Sequence, residues 1–179
     1  MKRILLLICL ALMLSQGISL WGTELVRKFS PQNKYSIAVP AEWETEIAED
    51  GTITATLLTE DSIFPLMVML AQEPLDPEEL ELDIDDIVTA NLDEIINRLE
   101  EESMGVATVL SHEVTTIQGY KANAVILDIS VFDVLNIRFG ITTLKRNDTL
   151  VLLMTSYPDE MVDTYKSLFQ EITDSISFE

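Results

Sequence analysis

Carboxylates carry almost all the chemistry open to this chain. Asp and Glu number 31 against 11 Lys and Arg, a formal charge of −20, and the acids are densest from Glu73 to Asp86. Within this cluster, 73–86, Asp83, Asp85 and Asp86 stand close to Glu78, Glu79 and Glu81, hard oxygen donors of the kind calcium takes. The spacing lacks the mid-loop glycine and the terminal bidentate glutamate of an EF-hand. A helix start accounts for the same residues, because carboxylates there meet the positive end of the helix dipole. The single histidine, His112, is too little for a histidine-based zinc triad and lies in an extended stretch between Ser111 and Glu113.

Other catalytic arrangements find no support. The chain has no Gly-x-Ser-x-Gly elbow and no motif that places an acid or a serine beside His112. Two carboxylates can act as acid and base on a glycoside, but nothing singles out a pair among 31. With 6 glycines there is no glycine-rich phosphate loop. The assignment is therefore none for catalytic, cofactor-binding and metal residues, and no cofactor. The sequon Asn147-Asp148-Thr149 has meaning in a glycosylating secretory pathway and is otherwise a hairpin turn.

The charge also bears on partners. No Lys or Arg occurs from Tyr35 to Asn97, and a field of this sign repels phosphate backbones and anionic headgroups, so nucleic acid is excluded as an expected partner. A basic protein or a cationic ligand is allowed, although solvation alone explains charged runs of this kind.

At the N-terminus, Met1-Lys2-Arg3 precedes the apolar run Ile4 to Leu14. That is the basic and hydrophobic pattern of a secretory signal peptide, and small residues at Ser15, Gly17 and Ser19 place cleavage between Ile18 and Thr23. Eleven apolar residues fall short of the roughly 20 a spanning helix needs. Cys9, the only cysteine, lacks the small residues that precede a lipidated cysteine. We expect residues 1–22 to be a signal peptide, 23–179 to be one domain without disulfides, and the product to be periplasmic or secreted with no stable membrane insertion. Loss of Lys2 and Arg3 takes the charge from −20 to −22.

The elements follow from periodicity. Tyr35 to Val39 alternates and must end or kink at Pro40, which lacks a backbone donor. Trp43 to Ala48 and Thr52 to Leu58 continue as a meander around the turn Glu49-Asp50-Gly51. Leu66 to Ala71 is a further short strand. Asp76-Pro77-Glu78-Glu79 has the composition of a helix opening. Ile84, Ile87, Val88, Leu92, Ile95, Ile96 and Leu99 then predict an amphipathic helix from about Ile84 to Ser103, stopped near Gly105. Four strands follow: Val106 to Ile117, Tyr120 to Val131, Asn136 to Lys145 and Thr149 to Ser156. Their turns fall at Gln118-Gly119, near Asp133 and at Arg146-Asn147-Asp148. Leu150 to Met154 is apolar at consecutive positions, so both faces of that strand need cover. The Ile84 helix supplies one cover. The other is a C-terminal helix opened by Pro158-Asp159-Glu160, with the stripe Met161, Val162, Tyr165, Leu168, Phe169 and Ile172. The expected fold is α+β: a three-layer α/β/α sandwich around a mostly antiparallel sheet.

With that order of elements, several motifs resemble the PsbP-like fold group. It takes in photosystem II extrinsic proteins, a Ran-binding import factor and DcrB-like bacterial periplasmic proteins. The similar features are Tyr35-Ser36-Ile37 leading into Val39-Pro40-x-x-Trp43, the long helix ending near Gly105, Gly119-Tyr120-Lys121-Ala122, and the closing Ser167-x-Phe169-x-x-Ile172-x-x-Ser175-Ile176-x-Phe178. The resemblance covers most of the chain after the signal segment. It implies that Pro40 bends the first strand away and that Trp43 re-anchors the chain by burying its ring. It also implies an exported, non-catalytic binding or accessory module of unknown partner. The alternative is a carboxylate-dependent enzyme or a calcium-binding protein of the cell envelope. Fold alone does not choose between them, and oligomeric state is unknown.

Overall fold

The computed structural model describes residues 24–58, 64–103, 105–132 and 134–179. The expected signal segment 1–22, with Cys9, and the centre of the turn expected near Asp133 lie outside the described residues.

The chain opens with strands β1 (Leu25–Ser30) and β2 (Tyr35–Pro40), paired antiparallel from Leu25↔Pro40 to Ser30↔Tyr35. Then come β3 (Glu44–Ile47), β4 (Ile53–Leu57) and β5 (Leu66–Pro74), helix α1 (Ile84–Ser103), and the long strands β6 (Gly105–Ile117), β7 (Tyr120–Val131), β8 (Leu135–Arg146) and β9 (Thr149–Pro158). A 3₁₀ turn (Asp159–Met161), helix α2 (Val162–Asp174) and the two-residue strand β10 (Ser177–Phe178) close the chain. Seven strands form one antiparallel sheet in the order β3-β4-β5-β9-β8-β7-β6, and β1-β2-β10 form a second, smaller one.

One expectation is corrected here. Tyr35 to Val39 does not belong to the meander with the strands that follow. It lies in β2, the central strand of the small sheet, whose six residues, Tyr35–Pro40, are all buried. Pro40 is its last residue, where a missing donor costs least. The chain crosses from there to the large sheet through a tight turn closed by Trp43 N–H to the Pro40 carbonyl (3.1 Å). Trp43 is buried and meets Phe169 edge-on at 6.0 Å. The proline thus ends one sheet, and the tryptophan anchors the start of the other against α2.

A second difference concerns the residues before α1. Asp76-Pro77-Glu78-Glu79 does not open a helix; it folds a separate turn, with Glu79 N–H on the Asp76 carbonyl and Glu79 Oε2 accepting the Asp76 N–H. Lys145 holds this turn by donating to the carbonyls of Glu79, Leu80 and Leu82. The helix begins at Ile84, after Asp83 Oδ1 accepts the Asp85 N–H (3.1 Å). The C-terminal helix likewise starts one turn late, behind the 3₁₀ segment.

The two-sided reading of Leu150 to Met154 is met at Leu150, Val151, Leu153 and Met154, while the half-buried Leu152 joins neither cluster. Val151 and Leu153 join a core with Tyr35, Ile37, Val39, Trp43, Leu168, Phe169 and Ile172. Leu150 and Met154 pack against a second cluster built from Ile84, Val88, Val125, Leu127, Ile129, Ile137, Phe139 and Ile141. Strand alternation makes these clusters opposite sides of the large sheet. The fold is thus α+β, mostly antiparallel, with two α-helices among the described residues.

Two junctions set the geometry between the sheets. Tyr35, fully buried, places its hydroxyl 2.9 Å from the Leu70 carbonyl and 3.0 Å from the Gly51 carbonyl, and accepts from Asn33 Nδ2 (3.0 Å). Gly51 sits at φ +87°, and a Cβ there would come within 2.6 Å of Asn33 Nδ2 and Ser30 Oγ, so this turn requires glycine. At the β6–β7 hairpin, Gln118 and Gly119 both take positive φ (51° and 82°), as a tight two-residue connection demands.

Candidate functional site

Of the acidic residues singled out in the sequence, Glu79, Asp83 and Asp85 take separate structural tasks. Asp83 pairs with Lys121 and caps Asp85. Glu79 Oε1 accepts from Asn91 Nδ2 (3.2 Å), which ties the turn to α1. The Lys121 ammonium, followed by the Asp85 N–H, holds the Asp83 carboxyl below its ordinary 3.8, and Asp83 in turn raises the Lys121 ammonium. Among the described residues no three His, Cys, Asp or Glu side chains come together to hold a metal ion. The sequon residue Asn147 lies exposed in the β8–β9 turn at φ 58°.

His112 is brought into company that the sequence did not reveal. It lies on β6 opposite Val125 of β7. Its Nε2 is 2.8 Å from Asn123 Nδ2 and 3.6 Å from Asp85 Oδ1, while Asn123 Nδ2 donates to Asp85 Oδ1 at 2.7 Å. Asn123 is 0% exposed, and its Oδ1 has no partner. A polar patch joining α1, β6 and β7 thus replaces the apolar packing that Val125, Leu127 and Ile129 give further along the same face. Asn123 escaped notice because its partners lie 38 and 11 residues away.

The opposite face has its own charged group. Asp128 and Arg138 are cross-strand neighbours, 3.9 Å apart at Arg138 Nε, and Arg138 also pairs with Asp159 in the 3₁₀ turn. Next to them Tyr157 stacks on Phe169 (4.7 Å), and burial raises its phenol above the ordinary 10.0. This group locks the start of α2 onto the sheet.

The two edges of the large sheet differ sharply. The β3 edge is four residues long and carries Glu44 and Glu46, a short acidic strand of the kind that resists pairing. The β6 edge is thirteen residues long with one formal charge, Glu113. Val106, Leu110 and Val114 are 65%, 49% and 54% exposed on it. By the register Val114, opposite Asn123, stands on the side of α1, whereas Val106, opposite Ser130, and the exposed Ile126 of β7, opposite Ser111, stand on the other face. Only part of the edge is protected: the ladder shifts register around Leu110, and Glu100 of α1 accepts the Ala107 N–H (2.8 Å). This edge and the adjoining face are the candidate site.

Comparison with solved structures finds the same fold. The chain is similar to cyanobacterial PsbP (CyanoP) from Synechocystis, with a TM-score of 0.66, 14% identity, and coverage of 88% of this chain and 94% of that one. It is also similar to a protein of unknown function from Pseudomonas aeruginosa (TM-score 0.57, 8% identity, 87% and 98% covered). A Bacteroides thetaiotaomicron protein matches at a TM-score of 0.56 and 8% identity, over 86% of this chain and 48% of that one. No family model matches the chain, and no curated protein does. The fold is PsbP-like, as the motifs around Tyr35, Pro40, Trp43 and Phe169 implied, and identities this low carry the fold alone. Among the described residues no helix is long and apolar enough to cross a membrane.

Proposed function

We propose that the chain is an exported, non-catalytic binding or accessory module that engages a protein partner along β6 and the adjoining face of β7. One observation carries this reading: a thirteen-residue sheet edge with exposed Val106, Leu110 and Val114 and a single formal charge, in a chain of net charge −20. Elsewhere on such a chain carboxylates keep surfaces apart, so an edge with one charge and exposed apolar residues is a place where contact is tolerated. The acidic surroundings favour a partner whose rim is basic, with complementary charge acting chiefly on the rate of encounter. Nucleic acid is disfavoured for the same electrostatic reason.

The layering on which the proposal rests is a three-layer sandwich. Here α1 covers one face of the large sheet, while α2 and the small sheet cover part of the other. The opposed clusters on β9 support this reading, and it leaves the β6–β7 end of the second face open. Export rests on Lys2-Arg3 and the run Ile4 to Leu14. The test is capture from the native envelope fraction with wild type and with Leu110→Lys and Val114→Lys. The captured partner should be lost in both variants while thermal melting is unchanged. Equal capture by all three proteins would refute the edge, and turnover abolished by one carboxylate substitution would refute the non-catalytic reading.

A further inference from the structure

We infer that His112, Asp85 and Asn123 form a binding site for one divalent transition cation, with the side-chain oxygens of Asp85 and Asn123 and the imidazole Nε2 of His112 as ligands. The three side-chain heads are 2.7, 2.8 and 3.6 Å apart. Ligands about 2.1 Å from a metal stand about 3 Å from one another, so these separations outline one face of a coordination polyhedron.

The orientation of Asn123 supplies the second argument. Its carboxamide points into the cluster, yet its Oδ1 is buried without a partner. Buried polar atoms are ordinarily satisfied. Turning the carboxamide end for end exchanges the two Nδ2 contacts, to Asp85 Oδ1 and His112 Nε2, for an oxygen facing the same two groups, and moves the amide nitrogen to the side where Oδ1 now has no partner. In that orientation the amide and carboxylate oxygens converge on Nε2, an arrangement that a bound cation, or the hydrogen of the Nε2–H tautomer, stabilises. In the tautomer that carries its hydrogen on Nδ1, His112 accepts from Asn123 Nδ2 and directs the Nε2 lone pair inward.

The donor set indicates the class of ion. Imidazole with carboxylate and amide oxygens suits zinc and its first-row neighbours and is a poor match for calcium, which takes oxygen ligands only. The side chains of His112 and Asp85 remain partly exposed, at 29% and 47%, which leaves room for water to complete the coordination. The net charge of −20 raises the local cation concentration around the site. Binding would fasten the start of α1 to β6 and β7, close to the proposed contact edge, and it goes beyond the reading of that edge.

The test uses tag-free full-length protein and Zn²⁺ as the probe, followed by calorimetry and by the imidazole NMR signals, which come from the chain's only histidine. One Zn²⁺ should bind per chain, shift both ring nitrogens of His112, and bind at least about tenfold more weakly to His112→Ala and to Asp85→Asn. Asn123→Asp should retain binding. Ca²⁺ and Mg²⁺ at matched ionic strength should leave the His112 ring signals in place. A His112 signal that does not move with Zn²⁺ would overturn the assignment. So would equal affinity in wild type and His112→Ala, because the heat would then come from the acidic surface at large. The side chains of His112 and Asp85 are partly exposed, so loss of folding does not obscure the result for these two variants.

Discussion

Tyr35 joins the two sheets through a single hydroxyl, and its position predicts both a mutational and a pH effect. Tyr35→Phe keeps the ring but leaves the Leu70 and Gly51 carbonyls and Asn33 Nδ2 without that partner, which should cost about 1–3 kcal/mol in urea denaturation. Gly51→Ala should destabilise through the clash at Asn33 and Ser30 and through its φ of +87°. Burial raises the Tyr35 phenol above the ordinary 10.0, with Asn33 opposing and Asp50 reinforcing the shift. A group whose folded-state pKa is raised contributes fully below its unfolded value and loses that contribution as pH rises through the folded one. Stability should therefore fall above pH 10, and Tyr35→Phe should flatten that decline, with Tyr157 accounting for part of what remains. At this scale the sequence was only partly legible. The anchoring role of Trp43 came from the resemblance of Val39-Pro40-x-x-Trp43 to the PsbP-like pattern, and its buried ring agrees with it. Asn123 did not stand out, because the sequence does not show a contact between residue 123 and a residue 38 positions earlier.

At the scale of elements, β9 is the strand on which the fold depends most visibly. Leu153→Ala removes a buried side chain from the core under α2 and should cost about 2–5 kcal/mol. Met154→Ala acts on the other cluster, where the side chain is only partly buried, and should cost less; chemical denaturation of both variants checks the order. The span of the helix from about Ile84 to Ser103 was readable because its apolar positions recur every three or four places and Gly105 follows, but Asp76 to Glu79 looked like its opening and is a separate turn. The sheet assignment of Tyr35 to Val39 was not, since alternation identifies a strand without identifying its neighbours. Its partners are β1, which the sequence reading passed over, and β10, whose two residues are too short to show a period. The same limitation hid the contrast between the β3 and β6 edges, because strand order is a property of pairing over long separations.

The whole molecule carries a charge of −20, and self-repulsion on that scale strains the compact state. Moderate salt should raise the melting temperature, which a series of thermal melts at increasing ionic strength will show. Toward acid pH, Asp50 and Asp83 act in the opposite sense to the tyrosines. Their folded-state pKa values lie below the ordinary 3.8, through the Thr52 N–H for Asp50 and chiefly Lys121 for Asp83. Their contribution is present above 3.8 and is lost as pH falls through the lower folded values. The composition made this charge and its consequences plain from the start, but it could not show that one edge of the sheet escapes it. That escape underlies the proposed partner contact, and site-specific photo-crosslinking in intact cells tests it most directly. With a photoreactive residue at Leu110 or Val114 on β6, or at Glu46 on β3, the account predicts a discrete crosslinked partner from the two β6 positions and none from Glu46. Crosslinks from Glu46 alone, or from none of the three positions, would contradict it.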